Sequence, residues 1–211
     1  CGEPRYLAGG LDGQRFAYGG GEYGIRLLGR HQLTNAALVI KAVRELDGQG
    51  MDISESALKK GLSDAVWHAR FEVLTEDNAA KSPYDVYIPH GKVLVLDGAH
   101  NPQGAAALAD AMKEYLSGKR VAAVTGVLAD KDYAAVMRNV VPLVGGVYAV
   151  TPDSPRALSA ERLKECIEEF SDVPVSVCAD VREGVERALR SDAEAAVVFG
   201  SLTLFRELAR R

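Results

Sequence analysis

The sequence predicts an α/β protein in which residues 70–211 form a Rossmann-like, mostly parallel sheet with helices on both faces, preceded over 1–69 by the tail end of another domain. Two observations carry this expectation. From about Arg70 onward, short Val-rich apolar runs alternate with stretches of helical periodicity. Strands that are apolar without alternation belong to parallel sheets covered on both faces. Before Arg70 the chain is Gly-rich and punctuated by turns, and its strands and helices do not alternate.

In residues 1–30, Gly9-Gly10 and Gly19-Gly20-Gly21 separate short aromatic segments, which read as hairpin or meander strands with tight turns. A helix follows from about Gln32 to Leu46, with Ala36, Val39, Ile40 and Val43 at i, i+3, i+4 and i+7 as its buried face and Asp47-Gly48 as its stop. Asp52 with Glu55 three residues later resembles a capping box for a second helix through about Leu62. Nothing in 1–66 reads as an independent α/β unit, so its few strands are expected to lack partners and to be the least stable part of the chain alone. Strand and helix then alternate: VLVL (93–96) before 103–116, VAAVT (121–125) before 131–139, VYAV (147–150) before 159–170. VPVSV (173–177) before 180–190 and AVVF (196–199) before 202–210 complete the series. In such sheets ligands sit beyond the carboxyl ends of the strands.

Composition narrows the function. A net charge of -4 over 211 residues gives no electrostatic footprint for nucleic acid or an anionic membrane. No apolar run reaches the roughly 18 residues of a membrane span, and the N-terminus is not signal-like. Cys1, Cys166 and Cys178 suit neither a disulfide framework nor a zinc site, so a reducing cytoplasm is the expected location. The sequence contains no G-x-x-x-x-G-K-[ST] phosphate loop and no G-x-G-x-x-G after a strand, and His31, His68, His90 and His100 lack metal-ligand spacing. No metal site is expected in this chain. Because it starts with Cys-Gly-Glu-Pro rather than Met, it is expected to be a piece of something longer.

Four segments could carry chemistry. In DGAHNP, Asp97 stands at a strand tip where a carboxylate can accept from ribose hydroxyls, and His100 can donate to an anion or shuttle a proton. Equally open is a structural reading, in which Asn101 caps the next helix and Asp97 ties down the turn. In GRHQLTNAA, the Asn35 amide can read a purine edge by donating and accepting at once, with His31 on the same helix face; a capping cluster is the alternative. In WHARFEV, Arg70 can clamp a phosphate bidentately or, as a lone arginine usually is, be a solvated surface residue, while Trp67 is expected in the core. In FGSLTLF, the Ser201 hydroxyl with the following helix N-terminus can bind a carboxylate, or Ser201 can simply cap that helix. Asp130 is expected to cap a helix, and Cys166 and Cys178 to lie in the core.

The ordered set GRHQLTNAALVIKAV, WHARFEV, VLVLDGAHNPQG, ADKD, TPDSPRALSAERL and FGSLTLF resembles the C-terminal half of the folylpolyglutamate synthases and dihydrofolate synthases, members of the Mur ligase superfamily. The resemblance covers essentially the whole chain, and DGAHNP with the HQ-x-x-NA segment is its specific part. It implies that 1–69 is the C-terminal remnant of a central ATPase domain and 70–211 a Rossmann-like ligase domain, with ATP and the amino acid bound in the cleft between such domains. It also implies a reaction. ATP and Mg²⁺ activate the carboxylate of a reduced folate or dihydropteroate as an acyl phosphate, and the amino group of L-glutamate attacks it, in a monomeric enzyme. By motif, Asn35 would contact adenine, Arg70 the ATP phosphates, Asp97 the ribose or its neighbourhood, and His100 and Ser201 the incoming glutamate, with His100 the catalytic candidate. The family's phosphate loop and Mg²⁺ ligands belong to its N-terminal half, so this chain is not expected to be active alone. Where the family has Pro-Gly before the arginine this sequence has His68-Ala69, and Thr203 stands where an aromatic is common. A freestanding nucleotide- or carboxylate-binding module is the alternative.

Overall fold

The chain, described over residues 2–209 in a computed structural model, divides at His68 and Ala69 into two units. In the first, β1 (Arg5–Gly10), β2 (Gly13–Tyr18) and β3 (Gly21–Ile25) form an antiparallel sheet in that order. Gly19 and Gly20 turn the second hairpin with φ of 55° and 84°. Positive φ at both central residues matches the twist of the flanking strands and is nearly reserved for glycine. Phe16, Tyr18, Tyr23 and Ile25 point inward, with Phe16 directly opposite Tyr23. They share a core with Leu33, Ala36, Ala37 and Ile40 of α1 (Arg30–Leu46) and Leu58 and Leu62 of α2 (Glu55–Asp64).

Three expectations for this unit need correction. Its strands do have partners, namely each other. Of the expected α1 face, Ala36 and Ile40 are buried, but Val39 is 47% exposed, because Leu33 and Ala37 take the inward positions instead. The α2 cap is Ser54, whose hydroxyl accepts from Ala57 N at 3.2 Å. Asp52 instead ends a wide helical turn over Asp47–Met51, at a left-handed φ of 50°. Glu55 accepts from the Tyr23 hydroxyl at 2.8 Å rather than reaching back to a cap.

The second unit is the mixed α/β domain that the sequence predicts. Its six-stranded sheet has the order β4-β5-β9-β6-β7-β8, for β4 (Glu72–Leu74), β5 (Val93–Leu96), β6 (Val121–Thr125), β7 (Gly146–Ala149), β8 (Val175–Val177) and β9 (Ala195–Phe199). All neighbours run parallel except β4, which is antiparallel to β5. Helices α3 (Pro102–Tyr115), α4 (Tyr133–Val140) and α5 (Ala160–Glu168) pack side by side, and α6 (Val181–Arg190) packs with α7 (Thr203–Leu208). Leu94 and Leu96, Ala122 and Val124, and Ala196 and Val198 share one core with Val181, Val185, Leu189, Leu204, Phe205 and Leu208 from the α6–α7 layer. β5, β6 and β9 are buried along their whole lengths, as strands covered on both faces must be. Among the described residues no helix is long and apolar enough to cross a membrane.

Candidate functional site

Strand order decides what meets at the sheet's carboxyl edge. β9 inserts between β5 and β6, so the turns leaving β5 and β9 are neighbours, and Gly200 N donates to Ala99 O at 2.8 Å. β4 runs the other way, with Glu72 opposite Leu96, so the residues just before β4 arrive at the same edge. Arg70, Asp97, His100 and Ser201 are thereby gathered from three separate parts of the sequence.

Asp97 is the fastener of this edge. Its Oδ2 accepts from Phe71 N and its Oδ1 from Ala99 N, each at 2.8 Å, while Gly98 N donates to Ala69 O at 2.8 Å. Burial pushes the Asp97 carboxyl above the ordinary range, opposed by the two backbone N–H groups and by the Arg70 charge. With one N–H on each oxygen, lone pairs remain for a ligand hydroxyl. Asp97 therefore does tie down the turn, which leaves room for a second task.

The loop so held is strained. Ala69 and Phe71 have φ of 57° and 45°, a left-handed conformation that costs a residue with a Cβ roughly 1–2 kcal/mol. Between them Arg70 folds back over Gly98, its Nη1 donating to Ala69 O at 3.2 Å. A Cβ on Gly98 would lie 2.4 Å from Arg70 Nη1 and 2.8 Å from Leu202 Cδ2. Glycine thus leaves room here for the Arg70 guanidinium rather than supplying a special φ. Leu202, 52% exposed, completes the apolar side of the cluster.

His100 Nδ1 lies 2.8 Å from Gly98 O. A carbonyl can only accept, so Nδ1 carries the hydrogen and Nε2 is left to accept a proton when the ring is neutral. Asn101 caps α3, its Oδ1 accepting from Gly104 N at 2.8 Å with Pro102 at the first helical position. Ser201, 4% exposed, pairs its hydroxyl with Thr203 Oγ1 at 2.9 Å and accepts from Thr203 N at 3.3 Å. Thr203 thus engages the Ser201 hydroxyl, while the N-cap position of α7 is Leu202, with no side-chain cap bond.

Asn35 lies in the first unit, exposed on α1, its Nδ2 donating to Gln32 Oε1 at 3.0 Å. Its amide carbonyl is unengaged among the described residues. Several minor expectations need correction. Trp67 is not core but 65% exposed. Asp130 caps nothing: it pairs with Arg156 at 3.1 Å, and Asp132 is the cap of α4, accepting from Ala135 N. Cys178 is buried, Cys166 only half so, and Cys1 lies outside the described residues. The sequence reading missed Glu72 and Tyr84. Glu72 Oε2 accepts from Ala69 N at 2.9 Å and from the Tyr84 hydroxyl at 3.4 Å. No periodicity marks either residue: Glu72 bonds within its own turn, and Tyr84 reaches it from twelve residues on.

Among the described residues no three or more His, Cys, Asp or Glu side chains are grouped to hold a metal ion.

The family described as Mur ligase, glutamate ligase domain, matches residues 70–202. A dihydrofolate synthase/folylpolyglutamate synthase of Bacillus subtilis is 31% identical over 190 residues, covering 88% of this chain and 40% of that protein. The folylpolyglutamate synthase structure from Thermotoga maritima superposes with a TM-score of 0.76 at 29% identity, over 97% of this chain and 46% of that one. The Mycobacterium tuberculosis folylpolyglutamate synthase complexed with ADP gives 0.74 at 25% identity, over 99% and 47%. The chain thus spans less than half the length of each of these relatives.

Proposed function

The chain belongs to the Mur ligase family through its glutamate ligase domain, and from that premise we propose that it is the C-terminal portion of an ATP-dependent ligase joining L-glutamate to the carboxylate of a reduced folate or dihydropteroate. The observation that carries this reading is the gathering of Arg70, Asp97 and His100 where the carboxyl ends of β5 and β9 meet the amino end of β4. Names of the relatives and the ADP in the mycobacterial structure support the nucleotide and the reaction class.

In this reading the folate carboxylate takes the γ-phosphoryl group of ATP, releasing ADP. The glutamate amine then attacks the acyl carbon, phosphate leaves, and the amine gives up a proton. Arg70 stabilises the charge on the phosphoryl oxygens. His100 receives the amine proton at Nε2, the nitrogen that its bond to Gly98 leaves free. Asp97 keeps the Arg70 loop and the 97–101 turn in one geometry and offers its remaining lone pairs to the ribose. Ser201, through its turn with Thr203, shapes the glutamate end, and the Asn35 amide reads the adenine edge. Mg²⁺ supplies charge neutralisation at the phosphates when bound, and residues outside this chain hold it.

Residues 1–69 are, in the same proposal, the C-terminal part of the ATPase domain. Supporting this, α1 has a second apolar stripe: Leu38, Val39 and Leu46 are 60%, 47% and 41% exposed opposite a face that is already packed. Such a stripe is what a helix inside a larger domain presents to neighbours beyond this sequence. Without a phosphate loop of its own the isolated chain does not complete the reaction, and the parent enzyme acts in the cytoplasm.

The test is incorporation of labelled glutamate into a reduced folate, with ADP release, by the full-length protein carrying this sequence. Arg70→Ala is expected to lower kcat by about 10²- to 10³-fold, the usual cost of removing one preorganised donor to a developing anion. Undiminished turnover in both Arg70→Ala and Asp97→Ala would remove the assignment.

A further inference from the structure

Three non-glycine residues of the described chain have left-handed φ, and two of them, Ala69 and Phe71, flank Arg70. Such a conformation persists only where its surroundings over-determine it, and it gathers at sites that must be pre-organised. Phe71 is held from outside the loop, by Asp97 at its N–H and by its ring against Tyr115, with centroids 5.7 Å apart. Ala69 has a different holder. Its N–H points to Glu72 Oε2 at 2.9 Å, across the three-residue turn that contains Arg70.

We propose that Glu72 is a positioning residue for Arg70: by accepting from Ala69 N–H, and steadied by the Tyr84 hydroxyl, it locks the left-handed turn that aims the guanidinium. Geometry on both sides supports it. The same residue, Ala69, that Glu72 holds by its N–H is held at its carbonyl by Gly98 N at 2.8 Å and by Arg70 Nη1 at 3.2 Å. The peptide groups leading into Arg70 are thereby fixed at both ends. Glu72 is in turn oriented from below. Tyr84 is 4% exposed, and its hydroxyl lies 3.4 Å from Glu72 Oε2. Burial, then the neighbouring Glu72 charge, raises the Tyr84 phenol well above its ordinary value, so that it stays protonated and donates. The chain of contacts runs Tyr84, Glu72, Ala69, Arg70, and only its last member reaches the ligand edge. Its first two come from β4 and from the connection between β4 and β5.

The inference rests on the reading that Arg70 acts on transferring phosphate, and the experiment separates the two. Glutamate-dependent ADP release by the full-length protein is measured at varied ATP for Glu72→Ala, Glu72→Gln, Tyr84→Phe, Arg70→Ala and the double variant Arg70→Ala/Glu72→Ala. Misplacing a catalytic group by about 1 Å costs on the order of 100-fold, so Glu72→Ala is expected to lose about 10- to 100-fold in kcat/KM for ATP. Glu72→Gln, whose amide oxygen still accepts from Ala69 N–H, recovers most of that loss. The double variant is no worse than Arg70→Ala alone, because nothing is left to position. A crippled Arg70→Ala beside a Glu72→Ala enzyme at the wild-type level overturns the proposal, as do losses that multiply in the double variant. Full activity in Arg70→Ala overturns the underlying reading, and Glu72 with it. If Glu72→Ala does not fold, Tyr84→Phe decides: a smaller loss that vanishes in the Arg70→Ala background supports the proposal, and a loss that persists there overturns it.

Discussion

Gly98→Ala gives the sharpest test of how the site is built. The added methyl would stand 2.4 Å from Arg70 Nη1, 2.8 Å from Leu202 Cδ2 and 3.2 Å from Ala69 O. Ordinary contact begins near about 3.5 Å, so the guanidinium has to retreat by about 1 Å. Its side chain is long and its head is the far end, which makes that retreat inexpensive. Leu202, more than half exposed, moves as easily. The contact with Ala69 O is merely tight, and the Gly98 N to Ala69 O bond at 2.8 Å survives with a small adjustment. The fold should therefore lose less than about 1 kcal/mol, the scale of a surface substitution without a buried clash. Catalysis should lose far more. A guanidinium displaced by about 1 Å from the position it holds over Gly98 is expected to cost on the order of 10- to 100-fold in kcat/KM for ATP. Two measurements on the full-length protein decide: denaturant unfolding for the fold and glutamate-dependent ADP release for the chemistry. Wild-type turnover with an unchanged unfolding midpoint would refute the idea that Gly98 exists to admit Arg70. A collapse of stability would show that the methyl meets rigid backbone rather than flexible side-chain ends.

Ala69→Gly should hold or raise stability. Relief of a left-handed φ of 57° is worth roughly 1–2 kcal/mol, set against the 0.4–1 kcal/mol or so by which glycine loosens the unfolded chain; a clear drop in unfolding free energy would contradict the strained turn. For Asp97, burial raises the folded pKa, so the folded chain takes up this proton at a higher pH than the unfolded chain does. Its contribution to stability is then fully present below the unfolded value near about 3.9 and is lost as pH rises through the raised folded value. The unfolding free energy of the wild type minus that of Asp97→Asn is expected to grow as pH falls across that window, and a flat difference by denaturant titration would remove burial as the dominant influence on this carboxyl.

The parallel sheet was readable because its strands need nothing but burial. VLVL and AAVVF are apolar throughout and VAAVT is apolar up to its final Thr125, and a run of that kind between helices has to be covered on both faces. β4 was not readable. Glu72–Leu74 is three residues long and only its last is buried, so pairing with β5 rather than pattern makes it a strand. The α1 face was misjudged for a related reason. Leu33, Ala36, Ala37 and Ile40 satisfy helical spacing, and so do Leu38 and Val39 with Leu46, so that periodicity alone does not say which stripe meets the first sheet. Trp67 shows the opposite limit, since its size argued for burial and its position left it exposed.

The site divides along the same line. The 97–101 turn was legible because a polar cluster at the end of an apolar strand in a parallel sheet falls where ligands bind. What holds Arg70 was not, since Tyr84, Gly98 and Asp97 reach its loop only through long-range contacts, and Glu72, three residues on from Ala69, has no mark of the role. The resemblance puts Pro-Gly where this chain has His68-Ala69, and glycine would take the left-handed turn at no steric cost. Here alanine takes it. The bonds from Ala69 N to Glu72, from Gly98 N and Arg70 Nη1 to Ala69 O, and from Phe71 N to Asp97 are the compensation. Each such bond is worth about 0.5–1.5 kcal/mol net, so even a few of them exceed the strain of one alanine. A turn that glycine could adopt by its own freedom is thus imposed on this sequence by its neighbours, which is why substitutions at those neighbours, rather than at residue 69, should move Arg70.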